Sequence, residues 1–204
     1  MSFDVDKLFV YSRTKIAEFA LEHQQEVFYA FAIDASNLCL NSLQAFEVTL
    51  KAYQSRWEKR TRIVESLFDL SDDEIQAYEY YLQRAERTDG LDRSDEVAVL
   101  NVINANRADE RGVGCEYYTE RGITYLRNNT GDWAYQGFSQ LDDKFGFDID
   151  LYNDHYYDAM DSDSSNSEYA RSMTLLVDRL KNTNAFDALR RTKDFNATWV
   201  DHTY

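Results

Sequence analysis

The chain has 204 residues, 44% of them hydrophobic and 15% aromatic, which is enough to bury a substantial core and too apolar for general disorder. Thirty-seven acidic against 22 basic side chains give a formal net charge of −15, which opposes binding to nucleic acid or to an anionic lipid surface and favours a basic partner, although charge alone also serves solubility. The longest apolar run, Val27 to Ile33, is too short to span a bilayer, and the N-terminus lacks the charged and apolar regions of a secretion signal, so a cytoplasmic protein with no membrane contact is expected.

Val5, Leu8, Phe9, Ser12, Ile16, Phe19 and Ala20 recur at three- and four-residue steps and predict an amphipathic helix capped by Asp4. In Glu26 to Ile33 both alternating sets are apolar, the pattern of a strand covered on both faces in the middle of a sheet. Asp34-Ala-Ser-Asn37 then reads as a turn into a partner strand at Leu38 to Asn41. Cys39 and Cys115 stand far apart and outside any CxxC pattern, and they read as buried free thiols.

From Ser42 to about Arg60 helical spacing returns, with Leu43, Phe46, Leu50, Tyr53 and Trp57 on one side and a basic end that suits the helix dipole. Ser71 to Glu74 has capping-box spacing and opens a helix striped by Ile75, Tyr78, Leu82 and Ala85, and a further helix begins near Ser94. Between Gly112 and Leu126 the glycines break long elements, and Gly122 to Leu126 is read as a short strand. Asp150 to Met160 is predicted helical. Ser165 to Glu168 forms a second capping box before a helix bearing Tyr169, Met173, Leu176 and Leu180. A short helix at Ala185 to Arg191 leads to a closing strand, Phe195 to Val200.

These elements predict an α+β fold, one mixed or antiparallel sheet packed by amphipathic helices, in a single domain over residues 1–204. The polar helical stretch of about residues 60–112 reads as an insertion or a small lobe of its own.

Catalytic and metal chemistry find little support. His23, His155 and His202 lie in separate elements without HxH or HxxxH spacing, and no serine occupies a GxSxG elbow. Asp154-His155 and Asp201-His202 each offer half of a triad, but adjacent side chains diverge on a helix or strand. Asp161, Asp163 and Ser165 begin an EF-hand-like count, yet Asn166 stands where glycine is needed and Ser172 where a bidentate glutamate should be. Gly112 and Gly114 are followed by Tyr117 at the third glycine position of a dinucleotide fingerprint. No metal, cofactor or enzymatic activity is therefore expected.

The outstanding feature is charge texture. Between Asp142 and Asp163 there are eight aspartates and one basic residue, Lys144, with Tyr152, Tyr156 and Tyr157 interleaved. Carboxylates steer a basic partner and tyrosines supply contact area, so Asp148, Asp150, Tyr152, Asp154, Tyr156, Tyr157, Asp158, Asp161 and Asp163 are the candidate partner-binding residues. The bland alternative is a solvated helix face with its tyrosines rooted in the core. Asp69 to Tyr81 has the same texture.

Ile123-Thr-Tyr-Leu-Arg-Asn-Asn-Thr-Gly-Asp-Trp-Ala-Tyr-Gln136 resembles the hallmark of bacterial domain-of-unknown-function family 4303, a strand running into a Gly-Asp-Trp turn followed by an aromatic. Phe28 to Ala32 resembles that family's early strand, Phe147 to Met160 its helix with a central His-Tyr, and Asp194 to His202 its final strand ending in Asp-His. The likeness covers the chain except roughly residues 60–115. It implies a small cytoplasmic bacterial protein of polymorphic-toxin neighbourhoods, an immunity protein that binds and neutralises a cognate toxin, with no catalytic residues. Gly131, Asp132 and Trp133 are implied as a structural turn, Asp132 bonding backbone amides and Trp133 packed in the core.

The leading expectation is thus a non-enzymatic acidic protein that occludes a basic, nuclease-type toxin. Two rivals stand beside it: a small-molecule sensor or enzyme with a pocket near Trp133, Tyr135 and His202, and a homodimeric scaffold.

Overall fold

A computed structural model describes residues 2–158 and 166–201. The fold is α+β. In chain order the described elements are α1 (Val5–Glu22), β1 (Phe28–Asp34), β2 (Asn37–Ser42), α2 (Leu43–Thr61), α3 (Asp72–Ala77), α4 (Glu79–Asp89), α5 (Glu96–Val113), α6 (Glu120–Asn128), β3 (Tyr135–Gln140), α7 (Ile149–Asp158), α8 (Glu168–Lys181) and β4 (Arg191–Val200), with short 3-10 turns between several of them. The chain divides into two compact units, a sheet unit of residues 1–49 and 125–204 and a helical unit of residues 50–124.

In the sheet unit the strand order is β3-β2-β1-β4. β1 pairs antiparallel with β2 and parallel with β4, while β2 pairs antiparallel with β3, so the sheet is mixed. β1 is interior, and its two apolar sets serve different faces. Phe31 and Ile33 meet Leu8 and Ile16 of α1 and Met173, Leu176 and Leu180 of α8, whereas Ala32 packs with Cys39 and Trp133 on the other face. Strict alternation would put Phe28 on the side of Ala32. A register shift between Phe28 and Ala30 returns it to the larger core, which is what a bulge does to side-chain direction.

Helix α1 starts where its sequence indicates, the Asp4 carboxylate accepting the Lys7 N–H. The Asp4 N–H in turn donates to the Gly146 carbonyl at 2.9 Å. Gly146 has φ +90°, and a Cβ there would lie 2.6 Å from the Asp4 Cβ, so both the backbone conformation and the close approach require glycine.

The helical unit has its own core of Val64, Leu70, Tyr78, Leu82, Val99, Leu100 and Ile103. Ser71 and Glu74 form the expected capping box, the hydroxyl accepting the Glu74 N–H and the carboxylate accepting the Ser71 N–H. The helix it opens is not continuous. It breaks at Tyr78, which turns its ring into the core and hydrogen-bonds to the carbonyls of Ile75 and Gln76, and α4 resumes at Glu79. Asp95, one residue beyond the expected start near Ser94, caps α5 by accepting from Val97 and Ala98.

Four sequence expectations are corrected. Gly122 to Leu126 is not a strand but the middle of α6. Gly122 is glycine because a Cβ would stand 2.2 Å from the Glu116 carbonyl oxygen, so it marks close packing and not a chain break. The strand of this region is instead β3, an edge strand with no fully buried residue. Residues 182–188 form successive turns in place of a helix at Ala185 to Arg191, and β4 begins at Arg191. The cap of α8 is Ser167, accepting from Ala170, in place of Ser165, which lies outside the described residues.

Candidate functional site

Helix α7 separates the nominated residues by face. Asp148 accepts the backbone N–H groups of Asp150 and Leu151, both at 3.1 Å, and so caps the helix. Tyr152 is half-buried, its ring 5.0 Å from that of Tyr169 and 6.1 Å from that of Phe147, and burial raises its hydroxyl pKa. The opposite face is open to solvent. It presents Ile149, Asp150, Asn153, Asp154, Tyr156 and Tyr157, with Tyr157 67% exposed and its ring edge-on to Tyr156 at 5.6 Å. Neither Asp150 nor Asp154 has an ion-pair partner among the described residues. Asp161, Asp163 and the side chain of Asp158 lie outside what the structure describes.

His155 anchors the inward face and is only 4% exposed. Its Nδ1 lies 2.7 Å from the Ser167 Oγ and its Nε2 3.4 Å from an Asp201 carboxylate oxygen, giving serine, histidine and aspartate in linear order. Sequence reading paired His155 with Asp154, which faces away. The order alone does not make a catalytic triad: the Ser167 hydroxyl is engaged as the α8 cap, accepting from Ala170, and Tyr169 and Trp199 close over the imidazole. The three residues tie the ends of α7, α8 and β4 together.

The Gly-Asp-Trp turn docks on the other face of the sheet. Asn129 accepts from the Gly131 N–H and donates to Asp132 at 2.6 Å, and Thr130 donates to the buried Asp34 at 2.5 Å. The Trp133 indole N–H and the Tyr29 hydroxyl both donate to the Arg127 carbonyl at 3.0 Å. Above Tyr29 lies the Arg127 guanidinium, 4.4 Å from the ring, and burial pushes the Tyr29 hydroxyl up to about 12. Trp133 and Tyr135 do not line one pocket. Trp133 packs with Ala32 and Cys39, Tyr135 with Phe19 and Phe28 on the opposite face, and His202 lies outside the described residues.

Tyr135 instead joins a polar cluster that sequence spacing did not reveal. Glu26 accepts from His23 at 2.9 Å, from Tyr135 at 2.5 Å and from Ser42. Because both His23 and Ser42 bind the carboxylate, the imidazole is not placed to deprotonate the serine, and the cluster joins α1, β2 and β3. Burial pushes Glu26 up, but the hydrogen bonds from Ser42, Tyr135 and His23 outweigh it and hold the carboxyl below its ordinary 4.5. A depressed carboxyl contributes stability that is complete above its unfolded pKa and is lost as pH falls through the folded value. Glu26→Gln should therefore flatten the acid-side loss of stability below about pH 4.5 in urea unfolding. Coincident acid slopes for variant and wild type would contradict this.

The helical unit holds a cleft of about 880 Å³, walled by Tyr53 and Trp57 of α2, Tyr78, Tyr81 of α4, and Tyr117. Four cationic and four acidic residues also line it. Arg60 pairs with Glu110 at 2.8 Å, Lys59 with Glu74 at 3.8 Å, and Arg107 with Glu74 at 3.4 Å. Arg56 lies over the Tyr53 ring at 4.8 Å. The sequence carried a signal for this cleft in the basic end of α2 beside Tyr53 and Trp57, but complementing the helix dipole accounted for the charges without one.

Among the described residues no group of three or more His, Cys, Asp or Glu side chains could hold a metal ion, and no helix is long and apolar enough to cross a membrane. No family model, curated protein or solved structure matches the chain.

Proposed function

We propose that this protein is a non-enzymatic, immunity-type binder that neutralises a basic toxin domain, of the nuclease kind, by covering its cationic groove. The observation that carries the reading is the outward face of α7: two carboxylates with no ion-pair partner among the described residues and two exposed tyrosines, on a helix whose other face is fixed by Leu151, Tyr152 and His155. Such a face meets a partner with little side-chain ordering, since tyrosine has few rotatable bonds, and its carboxylates accelerate encounter with positive charge. The overall charge of −15 acts in the same direction at longer range. Resemblance to an immunity-like family supplies the biological context.

Asp150→Lys with Asp154→Lys is the direct test, made against the purified product of the adjoining reading frame. Association should slow by about tenfold or more at low ionic strength and the difference should shrink in high salt. The unfolding midpoint should hardly move, because both side chains are solvent-exposed. Unchanged association kinetics would remove α7 as the interface.

A further inference from the structure

The cleft in the helical unit is independent of α7 and has the make-up of a small-molecule site. Its volume falls within the range of ligand pockets, and five aromatic side chains stand in its walls among the charged ones. Three of its four cations already have a carboxylate within 4 Å, Lys59 and Arg107 sharing Glu74. Arg56 does not: among the described residues it has a ring contact and no ion pair. Glu116 and Asp73 likewise have no cationic partner among the described residues and are exposed.

Of these, Arg56 and the turn that carries Glu116 meet at one end of the cleft. The Arg56 guanidinium lies 4.8 Å from the Tyr53 centroid, Tyr53 lies 4.7 Å from Tyr117, and Glu116 directly precedes Tyr117. The Tyr117 carbonyl accepts from Gln54 at 3.0 Å, which holds the turn against α2. Arg56 and Glu116 thus line the cleft together with this pair of rings and Trp57. A ligand with only one sign of charge would leave one of the two unanswered. We infer that the cleft binds a small zwitterion with a flat apolar body, of the aromatic amino-acid class, its carboxylate on Arg56, its ammonium on Glu116 and its ring among the tyrosines and Trp57.

Three matched probes test this by calorimetry: L-phenylalanine, 3-phenylpropionate, which lacks the ammonium, and phenethylamine, which lacks the carboxylate. Phenylalanine should bind at least about tenfold more tightly than either truncated probe. Arg56→Gln should weaken phenylalanine and 3-phenylpropionate by about tenfold and leave phenethylamine unchanged, while Glu116→Gln should weaken phenylalanine and phenethylamine and spare 3-phenylpropionate. Circular dichroism and the unfolding midpoint of both variants should match wild type, since both side chains are exposed. Absence of binding by all three probes at millimolar concentration overturns the inference. So does phenethylamine binding as tightly as phenylalanine, which would describe a cage for cations.

Discussion

Arg107→Ala should cost about 3–5 kcal/mol, because it removes a fully buried cation whose partners remain behind. The guanidinium donates to the Tyr78 hydroxyl at 3.1 Å and to the Arg62 carbonyl at 2.9 Å, with longer bonds to the Lys59 carbonyl and to Glu74, both 3.4 Å. It thus satisfies carbonyls at the C-terminal end of α2, where a helix runs out of internal donors, and joins them to α3 and to the break at Tyr78. Truncation strands these acceptors out of water and opens a void beside Tyr78. Arg107→Met, which refills much of the volume without the donors, should recover part of the loss. Hydrogen exchange should show protection falling mainly across residues 50–124. A loss under about 1 kcal/mol would mean that water or neighbouring donors replace the guanidinium, and would contradict this account of the unit.

Phe31→Ala is expected to be comparably severe in the sheet unit, about 3–5 kcal/mol. Phe31 is fully buried on the interior strand β1, opposite Leu40 of β2 and Ala197 of β4, and its ring lies 5.1 Å from that of Phe186. Removing the ring withdraws contacts from both neighbouring strands and from the turns at residues 182–188 at once. A fold with a total stability of about 5–15 kcal/mol would then be marginal, and urea unfolding should show a much lower midpoint. A shift of the size seen for an exposed substitution would show that the core closes over the vacancy.

Where burial set the pattern, the sequence was legible. The doubly apolar run at β1, the α1 stripe beginning after Asp4 and the capping box at Ser71 all appear where their residues place them, because each signal is local and each is reinforced by packing. The failures have a common origin. Glycine at position 122 was read as a breaker, yet it serves a close approach to Glu116 that no local pattern reports. Ile123, Tyr125 and Leu126 have strand propensity, but the buried pair Gly122 and Leu126 is four residues apart, a helical period. β3 escaped notice because an edge strand with exposed residues and a glycine at φ +64° has neither the alternation nor the apolar content of β1.

The candidate surface was legible as composition but not as geometry. Counting aspartates and tyrosines located α7, yet only the helix phase distinguishes Asp150, Asp154, Tyr156 and Tyr157 on the open face from Asp148 at the cap and Tyr152 in the core. Long-range pairings were invisible in principle. The meeting of His155 with Ser167 and Asp201, and of Glu26 with Tyr135, joins residues brought together by the sheet and by helix packing, and no spacing rule predicts either.

The proposal that this acidic chain binds and silences a basic protein is tested most directly by calorimetric titration of the purified chain with inactivated products of the adjoining reading frames, paired with a growth assay in which each active product is expressed. A one-to-one complex whose affinity falls with salt is expected, and growth should be restored when the chain is co-expressed. No complex at low salt, together with unrelieved toxicity, would contradict the proposal.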